Sequence, residues 1–228
     1  MSLIMSYVGR KGCVIAGDKR RIAYFGDKSN REKLEEELHS GAIKNDDELQ
    51  ARAVDFGITL KISDDACKVR SIGEIVVGEV SFRSPFETRR RRIYGTTNGY
   101  QIVELLGSDI SKMQKGESSI VVFGNKKTKE MANDILKKKW KNKTNLKGIS
   151  DIFEEVMIEV AKNSPSISNG HDIFIKHPKL DKKDAQKLLR ETILRDVKIL
   201  QKWREKLQED LLEKAESIKL ASKILNEG

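Results

Sequence analysis

Two apolar runs separated by a basic, glycine-containing turn open the chain: residues 2–9, Ser-Leu-Ile-Met-Ser-Tyr-Val-Gly, then Arg10-Lys11-Gly12, then a second run from Cys13 to Asp18. Short apolar runs around such a turn predict a hairpin of two buried strands. Residues 74–80, Glu-Ile-Val-Val-Gly-Glu-Val, predict another buried strand. Alternation and turn residues, Asn98-Gly99 among them, then predict an antiparallel meander with strands at 93–97, 100–106, 110–113 and 119–123. Helical spacing follows at about 128–140 and 150–162, before a closing strand at 172–175. Strands, then helices, then a strand argue for an α+β sandwich with helices flanking the sheets. The basic stretch 137–147 reads as a solvated helix end and loop, and no internal repeat is present.

Two further segments stand apart from this order. From about 27 to 57 the pattern predicts two short helices: Ser29 with Glu32 makes one capping box, Leu34 and Leu38 a stripe, and Gly41 a stop. Asn45 with Glu48, then Leu49, Ala53, Phe56 and Gly57, repeats the scheme. In the C-terminal part, Leu189, Ile193, Val197, Leu200, Trp203, Leu207, Leu211, Ala215, Ile218, Ser222 and Leu225 keep three- and four-residue spacing without Gly or Pro. As one α-helix this run would be roughly 60–70 Å long; a hairpin or a pairing with the insertion are the alternatives. The predicted organisation is a main domain of residues 1–177 with the helical insertion, and a helical extension of 178–228.

Composition changes this picture little. A chain of 228 residues and 25.9 kDa, 38% hydrophobic, can bury one substantial core plus an appendage. No apolar run is long enough to cross a membrane and charge appears by Arg10, so a cytoplasmic protein without a signal peptide is expected. Cys13 and Cys67 lack metal-ligand spacing and read as buried thiols in a reducing compartment. His39, His171 and His177 form no ligand motif and are expected in loops or on the surface, so neither metal nor cofactor is predicted. The net charge of +9 accompanies 35 acidic residues, a balance that suits surface ion-pair networks. Arg89-Arg90-Arg91-Arg92 is the one dense basic run. In an extended strand it would place two arginines on each face, to grip an acidic peptide or phosphates. With no aromatic interleaving, a protein or peptide partner is preferred to nucleic acid.

Chemistry enters at Ser2. Removal of Met1 would leave a hydroxyl and a free α-amine on one residue, and an α-amine of pKa about 7.7–8.0 can take the hydroxyl's proton during attack on a carbonyl. Met-Ser is also a common chain start with no catalytic meaning. What distinguishes this one is the hairpin, which begins at Ser2 and returns Asp18 to its side.

The run from Ser2 to Arg21, with Val14-Ile-Ala-Gly-Asp-Lys-Arg20, resembles the start of proteasome β subunits and their bacterial relatives, N-terminal nucleophile hydrolases. That resemblance implies a four-layer αββα fold with Ser2 as nucleophile, Asp18 as its acidic partner, and a lysine opening a later strand. Lys68, in Cys67-Lys-Val-Arg-Ser-Ile-Gly73, fits the last. Its charge would favour the alkoxide, and Asp18 would orient and neutralise it. The run Ser164-Pro-Ser-Ile-Ser-Asn-Gly-His-Asp172 is similar to the family's serine-rich turn; Asn163 stands where an aspartate is expected, and the serine counterpart is Ser166 or Ser168. A further serine counterpart, from Gly116-Glu-Ser-Ser119, is Ser118 or Ser119.

With its inserted element and its helical C-terminus, the chain resembles Connectase, a family of protein ligases of methanogenic archaea. The resemblance implies cleavage after the aspartate of a Lys-Asp-Pro-Gly-Ala type motif, carried in the family's case by a methyltransferase subunit of methanogenesis. The upstream piece is then held on the N-terminal residue and passed to an incoming Pro-Gly-Ala amine. An acyl ester on Ser2 keeps much of the peptide's acyl reactivity, so no ATP is needed, and an O-to-N shift onto the α-amine would store it as an amide. Two alternatives are a hydrolytic peptidase of the same superfamily and a catalytically silent binding protein.

Overall fold

The computed structural model describes residues 2–83, 87–140 and 145–226, with side chains described up to residue 209 except at 83. Met1, residues 141–144 of the basic stretch, and the side chains of the C-terminal stripe from Leu211 onward lie outside the described residues.

The opening hairpin forms as predicted: β1 (Ile4–Gly9) pairs antiparallel with β2 (Gly12–Asp18), Ile4 opposite Gly17. On its far side β2 pairs with β11 (His171–Lys176), and β1 pairs with β10 (Ser119–Phe123), giving the sheet order β10-β1-β2-β11. A second sheet is an antiparallel meander of β5 (Val69–Ile72), β6 (Ile75–Arg83), β7 (Thr88–Thr96), β8 (Gly99–Leu106) and β9 (Asp109–Gly116). The strand expected at 119–123 as the last of this meander therefore belongs to the first sheet. Alternation identifies a strand but is blind to which neighbour supplies its hydrogen bonds.

The period of two along β1 and β2 builds the layers. Leu3, Met5, Val14 and Ala16 face α3 (Lys126–Lys139) and α4 (Leu146–Asn163), meeting Ala132, Leu136, Phe153, Val156 and Val160. Ile4, Val8, Cys13 and Ile15 face the second sheet, meeting Val69, Val76, Ile93 and Ile102. Gly78 and Gly95 let the two sheets approach: a Cβ on Gly78 would lie 2.8 Å from Ile15 and 2.9 Å from Ile4. The outer face of the second sheet carries Ile75, Val77, Tyr94, Val103 and Leu105 against Leu189, Ile193 and Val197 of α5 (Lys182–Asn226). The architecture is thus an α+β sandwich in four layers, αββα.

Helix α5 is one continuous helix of 45 residues, so its first half supplies the fourth layer. Beneath it lies a part-buried polar network. Asp196 accepts hydrogen bonds from Arg70 (3.0 Å), Arg92 (3.0 Å) and the Tyr94 hydroxyl (2.7 Å). Removing Asp196 takes the acceptor from the buried Tyr94 hydroxyl, whereas Arg92 keeps Glu79 and Arg70 is 32% exposed. Asp196→Ala is expected to lower unfolding stability by about 1–3 kcal/mol, read as a shift in urea midpoint.

The insertion holds α1 (Lys28–Ser40) and α2 (Asp46–Asp55) above a ribbon of β3 (Arg21–Phe25) and β4 (Thr59–Ser63), two strands that the sequence pattern did not suggest. Leu34, Leu38, Ile43, Leu49, Ala53 and Ile58 form its own small core. The second cap is as expected, with Asn45 accepting from Glu48 N, and Gly41 ends α1 in the left-handed conformation. The first cap is Asp27 rather than Ser29: its carboxylate accepts from Asn30 N, which places Ser29 inside the first turn. Two further expectations are corrected. Cys67 is exposed while Cys13 is buried, its thiol pushed up to about 12 by burial. His39 is half-buried in the last turn of α1, and that burial lowers its pKa.

Candidate functional site

The hairpin register brings the chain's start beside the end of β2. Leu3 N donates to Asp18 Oδ1 (2.7 Å) and Asp18 N donates back to Leu3 O (3.1 Å), which fixes the residue after Ser2. The other carboxylate oxygen of Asp18 accepts from Lys68 Nζ (2.7 Å) and from Arg20 N (2.9 Å). Lys68 immediately precedes β5, and its carbonyl accepts from Glu79 N (2.8 Å), so the ammonium is carried by the second sheet and the carboxylate by the first. The pair ties the two sheets together at the Ser2 end. Both side chains are almost enclosed, 9% and 0% exposed. Burial lowers the Lys68 pKa, an effect that the Asp18 charge and hydrogen bond oppose.

Ser2 lines a cleft of about 560 Å³ whose other walls come from Val80–Phe82, Arg89–Arg91, Glu104–Leu106, Ser111, Gly124 and Asn125. Gly124 and Asn125 arrive there because Ile4 is opposite Phe123 in the β1–β10 register. A Cβ on Gly124 would stand 2.7 Å from Thr128 Oγ1 and 3.3 Å from Ser2 O, so a side chain there would push on the chain's first residues. Asn125 caps α3, its Oδ1 accepting from Thr128 N (2.7 Å) and Thr128 Oγ1 (3.0 Å). Neither residue was singled out from the sequence. The signal was the Asn125–Thr128 spacing at a helix start, which moves the start of α3 ahead of the expected residue 128.

The serine-rich turn between α4 and β11 also lies at this end, because His171 is opposite Asp18 in the β2–β11 register. Ser166 and Ser168 are both buried. Ser166 Oγ is 2.7 Å from Ser164 Oγ, and Ser168 Oγ accepts from Lys19 N (2.8 Å). Arg20 binds the same turn at Pro165 O (2.8 Å) and reaches the insertion through Asp46 (2.6 Å) and Asp64 (2.9 Å). Asn163 is exposed and bonds Glu159 O within its own helix. Ser118 and Ser119 are at the wrong end: Ser118 donates to Val8 O and Ser119 is opposite Val8, some 20 Å along β1 from Ser2 by strand rise.

The four arginines lie within β7, which begins at Thr88, and split between its faces as alternation requires. Arg91 sits over the Phe123 ring (4.9 Å) and 3.5 Å from Glu104, while Arg89 pairs with Glu87 at the surface. On the opposite face Arg90 is bonded to Gly107 O (2.7 Å) and lies 3.4 Å from Glu79. Arg92 is bonded to Glu79 and to Asp196 under α5, outside the cleft lining. Among the described residues no cluster of three His, Cys, Asp or Glu side chains could hold a metal ion, and no helix is long and apolar enough to cross a membrane.

Among solved structures, the chain is similar to Anbu (ancestral β-subunit) from Yersinia bercovieri, at 9% identity and TM-score 0.37, covering 77% of this chain and 80% of that one. It is also similar to the Anbu complex of Pseudomonas aeruginosa (8%, TM-score 0.39, 88% and 96% covered) and to eukaryotic HslV from Trypanosoma brucei (14%, 0.34, 77% and 99%). No curated protein sequence matches it. Residues 1–198 match the sequence profile described as Connectase MJ0548-like, N-terminal domain. This span runs from Ser2 through the cleft, the insertion and the docked half of α5, and the chain therefore belongs to the Connectase family.

Proposed function

We propose that the protein is a peptide-bond-exchanging ligase whose nucleophile is Ser2 once Met1 is removed. The observation that carries this reading is the enclosed Lys68–Asp18 pair joining the two sheets at the Ser2 end of an open cleft. Ser2 Oγ attacks the scissile carbonyl carbon, and the α-amine receives the hydroxyl proton and returns it to the departing amine as the C–N bond breaks. The positive charge of Lys68 favours the developing alkoxide, and Asp18 holds that charge in place. An incoming amine then attacks the ester, the C–O bond breaks, and the proton returns to Ser2 Oγ. Water in place of the amine would make the product an acid, so ligation depends on water exclusion and on a positioned acceptor. Ser168, which holds the Lys19 amide, and Ser166 would support Asp18 from below. Arg89 and Arg91, with Arg90 behind them, would give the cleft a basic wall for an acidic peptide; Arg92 would brace it through Glu79.

The substrate proposed with this reading, on the resemblance to the family, is a polypeptide with a Lys-Asp-Pro-Gly-Ala type motif, as in a methyltransferase subunit, cut after the aspartate. Intact mass of the purified chain, alone and with such a peptide, tests Met1 removal and acylation together. A Pro-Gly-Ala peptide added next should carry off the acyl group as an amide. Release of only the free acid would favour a peptidase instead.

A pH profile checks the assignment of charges. Catalysis needs a neutral α-amine and a charged Lys68, so kcat/KM is expected to rise through about pH 8. It should fall again as Lys68 loses its proton, below the alkaline range of a free lysine because burial lowers its pKa. Lys68→Arg should move the alkaline limb upward, and an unmoved limb would remove Lys68 from this role.

A further inference from the structure

One group of titratable side chains has no part in the chemistry above. Glu35 and His39 lie one turn apart on α1, so they share a face of that helix. Both are half-buried, as is Tyr24 on β3. The Nε2 atom of His39 is buried and has no hydrogen-bond partner. Among the described residues Glu35 makes neither a hydrogen bond nor an ion pair. A half-buried carboxylate without a bonded cation is costly to ionise, and burial raises its pKa accordingly.

The insertion brings this group to the start of the chain. Gly41, which ends α1, packs on the first turn of α3: a Cβ there would stand 3.5 Å from Lys127 Cγ. Gly124 and Asn125, just before that turn, line the cleft with Ser2. The electrostatics agree with this route. The positive charge of the chain's N-terminus opposes the effect of burial on Glu35, and it adds to burial in lowering the pKa of His39. His39 is therefore neutral near pH 7 and does not compete for the carboxylate. Tyr24 is raised by burial and then by the Glu35 charge, so β3 meets the same group. The remaining charges acting on Glu35 are Arg31 and Glu32 of its own helix, of opposite sign, and Lys127 is the cation that α3 brings to the end of α1.

Removal of Met1 moves the amine one residue along, a step of about 3.8 Å between consecutive Cα atoms. Asp18 is committed to Lys68 and to two backbone amides, which leaves Glu35 to meet the new ammonium.

We propose that Glu35, supplied by the insertion, is the carboxylate that holds the α-amine of the mature Ser2, a positioning residue for the nucleophile. Its catalytic meaning rests on the role proposed above for that amine as the base. A carboxylate beside an ammonium keeps it protonated to higher pH, so the amine is a stronger base while a smaller fraction of it is free at neutral pH.

The test titrates the amine itself, on a chain trimmed to begin at Ser2 and checked by intact mass. Acetylation of the Ser2 amine by acetic anhydride, located by peptide mass, is followed against pH. Glu35→Gln is expected to lower the midpoint by about 0.5–1 pH unit. Glutamine keeps the shape of the side chain, so the insertion stays folded. Glu32→Gln removes an equal charge from an exposed position on the same helix and should move the midpoint by less than half as much. The acid limb of kcat/KM should follow the amine downward in Glu35→Gln. An unmoved midpoint in Glu35→Gln, or an equal shift in Glu32→Gln, overturns the proposal. A shifted midpoint in a chain that forms no acyl adduct would keep this pairing and remove the role proposed for Ser2; an adduct with an unmoved midpoint would do the reverse.

Discussion

Ser2→Ala is expected to leave a folded protein that forms no covalent adduct with any peptide. Removing an N-terminal nucleophile takes away the atom that first receives the acyl group from the scissile bond, so exchange should drop on the order of 10⁴-fold or more. The alanine chain still presents an α-amine, the Lys68–Asp18 pair and the cleft, so peptide binding should persist within a few-fold. Adduct in the intact mass spectrum and affinity by calorimetry are read on the same sample. Loss of binding together with the adduct would mean that the substitution acted through the hairpin; an adduct retained would end the mechanism.

The second large effect concerns the pair beneath Ser2. Asp18→Ala would take the enclosed counter-charge from the Lys68 ammonium and the acceptor from the amides of Leu3 and Arg20. Removing one member of a buried charge pair costs about 3–5 kcal/mol, enough to threaten the fold. The double replacement Asp18→Asn with Lys68→Met removes both charges and keeps nearly the same volume. It is expected to recover part of the stability lost in Asp18→Ala, short of the wild-type level because one amide oxygen cannot accept from both Leu3 N and Arg20 N, while exchange stays about 10²–10⁴-fold lower, because the charge proposed to favour the alkoxide is gone. Urea midpoints and single-turnover acylation rates check the two halves. If the double variant regains activity with its stability, the pair is only structural. The contrast is informative because it separates what the pair does for the fold from the role proposed for it in the chemistry.

Much of the architecture was legible in the sequence because it rests on local pattern. The hairpin needed only two apolar runs and a basic turn, and its register then placed Asp18 beside the chain's start. The Asn45–Glu48 cap and the stripes of α4 and α5 likewise follow from spacing within one element. What escaped depends on pairing between distant segments. Ser118 and Ser119 were attractive by order along the chain, yet the β1–β10 register puts them at the far end and delivers Gly124 and Asn125 instead. Alternation divided the arginines between two faces. It was silent about Glu79 and Asp196, which claim Arg92 from a neighbouring strand and from a helix about a hundred residues downstream. The ribbon of β3 and β4 was missed because each strand is short and half-exposed, with little apolar contrast to mark it.

The insertion has a consequence for how the molecule breathes. Its entry and exit are side by side, since Arg21 is opposite Ser63, and its apolar residues form a cluster separate from the three that hold the sandwich. A segment closed at its neck and packed on itself can open as one cooperative unit, at a free energy below that of global unfolding. Amide protons of α1 and α2 should therefore exchange together and sooner than those of β1 and β2. Arg20, which joins Asp46 and Asp64 to the turn beside Asp18, sits at the hinge of that opening, so each release of the insertion also slackens the support of the Ser2 end of the sheet.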